Sequence, residues 1–340
     1  MNAFAETQLR PALILTRSDI ARLMAPQDYL VAIEAGFRSH ASGEVEAVMP
    51  MHIPAQLGIF HTKAARLVLE REYVALKLNG NFPGNPRVNG LPTIQGVVIL
   101  CDGSDGSVLA VMDSIEITLR RTAAASALAA RLSARPDASS ICLCGCGEQG
   151  RAQLLALAGV LPLQHVFAWD LDTSKARELA SEMRRAVDAD IEVVQNLAEA
   201  TRSSDVIVTA TTARSPFLKV DMVSPGTFVA AVGADSPEKS EIAPELMGKA
   251  TIVVDLLAQA AVMGDLHHAL DAGTVAVTDV HAELGDIVAG RKRGRTRSDE
   301  IIVFDSTGTA IQDVASAAWI YQRAKACDVG LPVCLGAVPM

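Results

Sequence analysis

The chain has 340 residues, half of them hydrophobic and 20% charged, which is enough for about two domains with substantial buried cores. Its formal net charge of −9 argues against nucleic acid as a partner, because an acidic protein repels the phosphate backbone. No uninterrupted apolar stretch reaches the ~20 residues of a membrane span and no signal peptide is evident, so we expect a cytoplasmic protein with reduced cysteines and no membrane contact.

The first third of the chain predicts a small α+β unit. A short strand is expected at residues 13–15, followed by a helix that Ser18 caps and a second helix over residues 26–41. Short apolar segments then alternate with Gly, Pro and Asn clusters as far as residue 100, which indicates a sheet with long loops. Residues 102–106 predict a hairpin turn that leads into a returning strand.

The rest of the chain predicts a regular alternation of helices and strands. It begins with an alanine-rich helix over residues 117–132 and ends with a helix that runs from after Gly308 to about Cys327. The expected strands are residues 140–144, 165–170, 191–194, 206–209, 227–232, 251–254 and 301–304. Such alternation implies right-handed crossovers, and therefore an α/β fold with a Rossmann-type, doubly wound parallel sheet beside the smaller α+β domain.

A glycine-rich segment at residues 145–150 matches G-x-G-x-x-G between a predicted strand and a predicted helix. Gly145 permits a tight turn, Gly147 lets the backbone approach a pyrophosphate, and Gly150 lets helix and strand pack closely. Asp170 ends the next strand about 20 residues further on, where an acid binds the ribose hydroxyls and repels a 2′-phosphate. The sequence therefore predicts a dinucleotide site that favours NAD over NADP, although Asp170 alone is also compatible with a turn cap.

Two other features have structural interpretations. Cys142, Cys144 and Cys146 are spaced poorly for a metal site, and we interpret them as small fillers of a buried strand, with no metal expected. The basic run at residues 291–297 is interpreted as a solvated loop, with an anion-binding patch as the alternative.

Four segments resemble the ornithine cyclodeaminase/mu-crystallin family, in addition to the glycine motif. They are residues 77–81, 121–126, 232–241 and 304–313, and their order and spacing agree with the family from about residue 45 to 325. The resemblance implies a substrate-binding and dimerisation domain of residues 1–120 with 314–340, and a Rossmann domain of residues 121–313 inserted into it. It also implies a homodimer built on the N-terminal sheets, with a small amino or imino acid held against the nicotinamide.

The resemblance assigns roles to individual residues. Lys77 resembles the lysine at the substrate carboxylate and Asp235 the aspartate that manages the proton on the substrate nitrogen, so both are expected to be catalytic. Arg121 is similar to the family's helix-start arginine at the carboxylate, where the helix dipole would add to its charge. The expected cofactor-binding residues are Thr122, Gly145, Gly147, Glu148, Gln149, Gly150, Asp170, Thr209, Thr211, Val232, Gly233 and Ser306.

The residues by themselves leave alternatives open for these assignments. Lys77 is compatible with a surface lysine, Arg121 with a structural ion pair, and Asp235 with a turn before Pro237. Asp235 follows a buried strand at its carboxyl end, where open α/β sheets bind ligands. We expect a desolvated aspartate there to have a raised pKa, which suits proton exchange with an amine or imine.

The sequence departs from the family at two places in the substrate site. His52 stands where the family usually has an arginine, and a histidine is a weaker, pH-dependent carboxylate ligand. Residues 61–64 replace a Glu-Leu-Met-Pro segment of ornithine cyclodeaminases. Lys63 would repel the second amine of ornithine, and Lys63 and His61 would suit a neutral or anionic side chain, unless Lys63 points to solvent.

We therefore expect an NAD-dependent imino-acid reductase or amino-acid dehydrogenase that acts at the Cα–N bond by hydride transfer. The first alternative is a redox-neutral ornithine cyclodeaminase that forms proline and ammonia with bound NAD. The second is a crystallin-like ligand-binding protein without turnover.

Overall fold

The computed structural model describes residues 10–335, and its first part is an α+β unit. Its elements are β1 (Ala12–Leu15), α1 (Arg17–Leu23), α2 (Pro26–Ala41), β2 (Val45–Ala55), β3 (Gly58–Val68), β4 (Glu72–Asn81), α3 (Asn85–Val88), β5 (Ile94–Asp102) and β6 (Val108–Asp113). Together with β17 (Leu331–Val333) from the far end of the chain, these strands form one seven-stranded sheet in the order β17-β1-β6-β5-β4-β3-β2.

Side-chain alternation gives this sheet two different faces, because successive residues of a strand point to opposite sides. Lys63 is directly opposite Lys77 on the neighbouring strand, and His61 is opposite both His52 and Asn79. These polar residues all share one face. The other face is apolar and partly open to solvent, and it includes Val48, Met51, Ile53, Leu76, Leu78 and Val97.

The second part of the chain alternates strands and helices, as the sequence predicted. Its first half consists of α4 (Ser114–Ser133), β7 (Ser140–Cys144), α5 (Glu148–Ala158), β8 (His165–Trp169), α6 (Thr173–Met183), β9 (Asp190–Val193), α7 (Leu197–Arg202), β10 (Val206–Thr209), β11 (Arg214–Leu218) and β12 (Phe228–Ala231). Its second half consists of β13 (Ser240–Ile242), α8 (Pro244–Met247), β14 (Thr251–Val254), α9 (Leu257–Ala260), α10 (Gly264–Asp271), β15 (Val280–Glu283), α11 (Leu284–Val288), β16 (Ile302–Asp305), α12 (Ala310–Cys327) and β17 (Leu331–Val333).

Eight strands of this part form one parallel sheet in the order β15-β14-β16-β12-β10-β7-β8-β9. The strands β10, β12 and β16 are buried along their whole length, and β7 is buried after Ser140, which is why they read as aliphatic runs in the sequence. The chain moves outward from β7 in both directions, so β7 and β10 border the topological switch point where such sheets bind ligands. The expected α/β, Rossmann-type doubly wound fold is confirmed.

Two long helices join the two sheets. The alanine-rich α4 packs against α2 and α5, while α12 lies across β3 and β4. Small side chains such as Ala125 and Ala129 on α4 and Ala315 on α12 are fully buried, and they let the helices approach closely. The expected domain boundaries at residues 120/121 and 313/314 fall inside these two helices, so each helix belongs to both units.

Several local expectations need correction. Thr16, not Ser18, caps α1, because its hydroxyl accepts from the Asp19 amide while the Asp19 carboxylate accepts from the Thr16 amide. Helix α4 begins at Ser114 rather than at residue 117, since Asp113 caps it by accepting from Ile115 N and Glu116 N. The strands β11, β13 and β15 were missed because each is short and lacks a long apolar run.

Cys142 and Cys144 are completely buried in β7, as expected for fillers of a buried strand, whereas Cys146 is buried in the glycine loop that follows it. In the basic run, Arg291 and Arg293 are exposed, while Arg295 turns inward and donates to the carbonyls of Ser133 and Glu300. Within residues 10–335, no helix combines the length and the apolar character that crossing a bilayer requires.

Candidate active site

The glycine loop joins β7 to α5 and has the geometry that a dinucleotide requires. Gly145 has φ +106°, and a Cβ there would lie 2.5 Å from the carbonyl oxygen of Ala210. A Cβ on Gly150 would collide with the carbonyl of Gly145, whereas Gly147 faces open space. Gly147 is also the N-cap of α5 and offers no side chain, which leaves the first amides of the helix available to phosphate oxygens. The residues of this loop therefore fit a pyrophosphate.

Asp170 stands beside this loop at the end of β8. Its Oδ2 accepts from the Cys146 amide at 2.8 Å and its Oδ1 from the Asp172 amide at 2.9 Å. The carboxylate is thus fixed at the position where ribose hydroxyls are recognised in dinucleotide folds. Glu148 is exposed and Gln149 is half-buried in the first turn of α5, also facing this region.

A buried glutamate that the sequence interpretation missed organises the next part of the edge. Glu241 Oε1 accepts from the amide and the hydroxyl of Thr211, both at 2.6 Å, and its Oε2 accepts from Gly233 N at 2.8 Å. Burial and the nearby Asp265 raise the pKa of Glu241 to about 7. Glu241 therefore joins the loop after β10, through the amide of Thr211, to the loop after β12, through the amide of Gly233.

The remaining predicted cofactor residues lie at the same edge or next to it. Val232 N and Gly233 N both donate to the carbonyl of Thr209, and Ser306 N donates to Ala231 O. The Ser306 hydroxyl is buried and has no partner among residues 10–335. Thr122 is buried on α4, where its hydroxyl donates to Thr118 O.

A cluster of buried charges lies under this edge, where β4, α4 and α12 meet. Lys77 Nζ lies 2.7 Å from Asp313 Oδ2, and Arg121 Nε lies 3.1 Å from Asp313 Oδ1. Burial, together with Arg121 and Lys63, outweighs the attraction of Asp313 and lowers the pKa of Lys77 to about 7. One carboxylate therefore serves two buried cations, which leaves local positive charge for a further anion.

The helix-dipole argument for Arg121 was wrong. Arg121 is the eighth residue of α4, about two turns from its N-terminus, where the dipole no longer contributes. Its position depends on α12 instead, because its guanidinium donates to Gln312 Oε1 and packs against Gly308. Contacts between α4 and α12, rather than the helix dipole, therefore fix the position of Arg121.

Lys63 is tied to the turn that precedes α12 rather than pointing to solvent. Its ammonium donates to the carbonyl oxygens of Thr307 and Gly308. The same turn is held from the other side by Asp255, which accepts from Thr307 Oγ1 and Gly308 N. Burial and the nearby Arg121 lower the pKa of Lys63.

Asp235 lies on the loop after β12 and is ion-paired, not isolated. Lys239 Nζ donates to Asp235 Oδ1 at 2.6 Å, and 56% of the aspartate side chain is exposed. The expected rise in its pKa is wrong. Desolvation raises the pKa of Asp235, but the charges of Lys239, Lys63 and His61 together lower it below its usual range. At neutral pH this group is a carboxylate.

His52 and His61 form a pair on the polar face of the N-terminal sheet. Their Nδ1 atoms lie 2.7 Å apart, and their rings are nearly perpendicular. The negative charge of Asp235, on the loop after β12, acts to raise the pKa of His61, but burial and the charges of His52, Lys63 and Lys239 outweigh it and lower that pKa.

The contacts of Lys63 with Thr307 and Gly308, and of Lys77 with Asp313, bring the polar face of the N-terminal sheet against the carboxyl edge of the parallel sheet. The boundary between these two surfaces is called the cleft. The residues missed by the sequence interpretation are Lys239, Glu241, Asp255, Gln312 and Asp313. All of them except Asp255 lie within segments that carried the family resemblance. Asp313 is also an acid inside the apolar first turns of α12. A charge in a buried helical stretch was the signal available for it.

The family model described as "Ornithine cyclodeaminase/mu-crystallin family" matches residues 10–328. Alanine dehydrogenase of Archaeoglobus fulgidus is 38% identical over 319 residues, which cover 94% of this chain and 97% of the relative. Iminosuccinate reductase of Paracoccus denitrificans is 34% identical over 322 residues, which cover 92% of this chain and 97% of the relative.

Solved structures agree over nearly the whole chain. An archaeal alanine dehydrogenase dimer with bound NAD has a TM-score of 0.90 at 38% identity, covering 95% of this chain and 99% of that one. Delta(1)-pyrroline-2-carboxylate reductase of Thermococcus litoralis, in complex with NADH and L-proline, has a TM-score of 0.90 at 31% identity, covering 94% and 100%. A lysine cyclodeaminase has a TM-score of 0.85 at 29% identity, covering 96% of each chain.

Proposed function

This chain belongs to the ornithine cyclodeaminase/mu-crystallin family, and we propose that it is an NAD-dependent imino-acid reductase or amino-acid dehydrogenase acting at the Cα–N bond. The class of enzyme expected from the sequence is confirmed by the dehydrogenase and reductase relatives. One observation carries the choice of chemistry. Lys77 and Arg121 form a buried cation cluster with Asp313, and the neighbouring Lys63 also acts on the carboxylate of Asp235.

The two cations are proposed to bind the substrate α-carboxylate. Asp313 orients both of them but neutralises only one charge, so an incoming carboxylate meets a preformed positive site. Because Lys77 has a pKa of about 7, the bound anion would also favour its protonated form. Fixing the carboxylate in this way orients Cα within the cleft, and such positioning accounts for much of the rate in hydride-transfer enzymes.

Asp235 is proposed to exchange the proton on the substrate nitrogen. As a carboxylate held by Lys239, it can accept a proton from a substrate ammonium or stabilise a protonated imine. When bound, NADH supplies a hydride to Cα, and NAD accepts one in the reverse direction. Asp170 supports the choice of NAD over NADP, because its charge stands where a 2′-phosphate would have to bind.

The proposal includes a homodimer and the two-domain division expected from the sequence. The apolar outer face of the N-terminal sheet supports the dimer, because it exposes Val48 by 63%, Met51 by 55% and Leu78 by 41%. Residues 1–120 with 314–340 would form the substrate-binding and dimerisation domain, and residues 121–313 the NAD-binding domain. A cytoplasmic location also belongs to the proposal and rests on the sequence.

The test is a steady-state assay of NADH oxidation with 2-oxo acids plus ammonia and with cyclic imino acids. We expect NADH consumption with at least one of them, and a loss of at least 100-fold in kcat for Asp235→Asn. Asp188→Asn, an exposed change on another surface, is the control. Ammonia release from ornithine without a net change in NADH would instead establish a cyclodeaminase. Binding without any turnover would establish a crystallin-like protein.

A further inference from the structure

The His52–His61 pair has a hydrogen-bonding pattern that responds to protons. The two residues are directly opposite each other on β2 and β3, and their Nδ1 atoms are 2.7 Å apart. A hydrogen bond between these atoms holds one proton, so one ring donates and the other accepts. If the pair takes up one further proton, both Nε2 atoms become N–H donors and the pair carries a single positive charge. A second added proton would place two charged rings in contact, which is strongly unfavourable.

The pair lies one step along the sheet from the proposed carboxylate site. His61 and Lys63 are two residues apart on β3, as are Lys77 and Asn79 on β4, so all four side chains share the cleft face. Two residues of a strand span about 6.6 Å. An extended four-carbon dicarboxylate spans about 6 Å between its outermost oxygens, as bond lengths near 1.5 Å and 1.2 Å require. The spacing of these strand positions therefore matches a substrate whose first carboxylate is bound by Lys77 and Arg121 and whose second carboxylate reaches the histidine pair.

The charged groups that face His61 come from both sides of the cleft. Lys63 lies on the same strand, His52 on the neighbouring strand, and Asp235 with Lys239 on the loop after β12. Burial, His52 and the two lysines lower the pKa of His61, and Asp235 partly opposes them. Because Asp235 is already ion-paired with Lys239, its charge is largely compensated. The charges at this end of the cleft therefore favour the binding of an anion. His52 is exposed and can contact that anion.

We propose that the His52–His61 pair is the subsite for a second carboxylate, which makes the substrate a four-carbon α-imino dicarboxylic acid. This inference rests on the function proposed above. In the reaction, Cα gains a hydride from NADH, the nitrogen gains a proton, the C=N bond becomes single and NAD is released. The second carboxylate is unchanged, and the proton on the pair binds with the substrate and leaves with the product.

The test compares kcat/KM for oxaloacetate plus ammonia with kcat/KM for pyruvate plus ammonia between pH 6 and 9. The ratio cancels the proton dependence of ammonia, of Asp235 and of the α-carboxylate site. We expect a ratio above ten at pH 6.5 that falls about tenfold per pH unit above the pKa of the pair, because one proton is required. A ratio that does not vary with pH, or that favours pyruvate throughout, overturns the dicarboxylate subsite alone. If no imino acid oxidises NADH, the proposed function fails instead, and this inference fails with it.

Variants of the two histidines and one binding measurement test whether the pH dependence of the ratio arises from the His52–His61 pair. His52→Gln and His61→Gln should each lower the ratio at least tenfold at pH 6.5, and the double variant should abolish its pH dependence, since glutamine cannot take up the proton. His165→Gln, at the exposed start of β8, should change neither property. Should the variants fail to fold, calorimetry of succinate binding to the wild-type enzyme with NADH, in two buffers of different ionisation enthalpy, is expected to show uptake of about one proton. Succinate binding without proton uptake would overturn the inference.

Discussion

Lys63 and Lys77 are direct cross-strand neighbours, yet they bind opposite ends of one turn–helix junction. Lys63 donates to the carbonyls of Thr307 and Gly308, while Lys77 donates to Asp313 in the first turn of α12. The N-terminal sheet therefore holds the end of the parallel sheet through two lysines, of which Lys77 is buried and Lys63 half-buried. The geometry of the cleft depends on this junction.

Gly308 should be required for the position of Arg121. It has φ +69°, and a Cβ there would collide with the Arg121 guanidinium. Gly308→Ala is expected to lower kcat/KM at least tenfold, mainly through KM, because the arginine must move away from the carboxylate. Gly273→Ala is the matched control, since Gly273 has φ +66° and open space around it. Both variants should lose about 1 kcal/mol of stability from the positive φ. Equal kinetics for the two would contradict the role given to Arg121.

Asp313→Asn should destabilise the protein strongly, because it leaves Lys77 and Arg121 buried without a counter-charge. We expect a loss of about 3–5 kcal/mol in urea unfolding at pH 7. The attraction of both cations lowers the pKa of Asp313 below 3.8, so its contribution is present above that pH. As the pH falls through the folded-state pKa, the wild type loses this contribution, and the difference between the two proteins should shrink. A difference that is constant down to pH 2 would argue against this ion pair.

Lys239→Met should shift the pH dependence of activity. Lys239 lowers the pKa of Asp235, so its removal raises that pKa. Activity that needs the carboxylate is lost as the pH falls through the pKa of Asp235, and in the variant this loss should begin at a higher pH. The acidic limb of kcat/KM is expected to move up by about half a pH unit or more. Lys249→Met, an exposed change, should leave the limb in place. An unchanged limb in Lys239→Met would remove Asp235 as its origin.

Asp170→Asn should weaken the preference for NADH over NADPH. The variant keeps an acceptor for the ribose hydroxyls but removes the charge that repels a 2′-phosphate. We expect the ratio of kcat/KM for NADH to that for NADPH to fall about tenfold, mainly through a gain with NADPH. Asp190→Asn, at the exposed start of β9, is the control. If the ratio holds at its wild-type value, another group sets the cofactor preference.

Leu78→Arg should dissociate the proposed dimer. Leu78 is 41% exposed in the middle of the apolar face, and an interface there would bury an unpaired charge. Sedimentation is expected to show a dimer for the wild type and a monomer for the variant at micromolar concentration. Val277→Arg, on an exposed residue of the other unit, should remain dimeric. A wild-type monomer would refute the interface on this face.

The fold and the dinucleotide loop follow from local sequence patterns. Buried parallel strands consist of aliphatic runs, and the conformation at Gly145 excludes any residue with a Cβ. Both features are therefore visible in a few consecutive residues of the sequence. The helix over residues 26–41 was predicted within its observed bounds for the same reason, because Pro26 marks its start. The resemblance at residues 232–241 and 304–313 then indicated the cleft.

The sequence by itself determined the α/β fold and the glycine loop, since these depend on neighbours along the chain. Only the tertiary structure decided which charges meet. Asp313 is separated from Lys77 by 236 residues and shares its ion pair with Arg121, so no local pattern reports the pairing. For Asp235, Lys239 is only four residues away, but Lys63 and His61 reach it through the fold, and these three charges together made the expected rise in its pKa wrong. Electrostatic effects act through space, and distance in space is set by the fold.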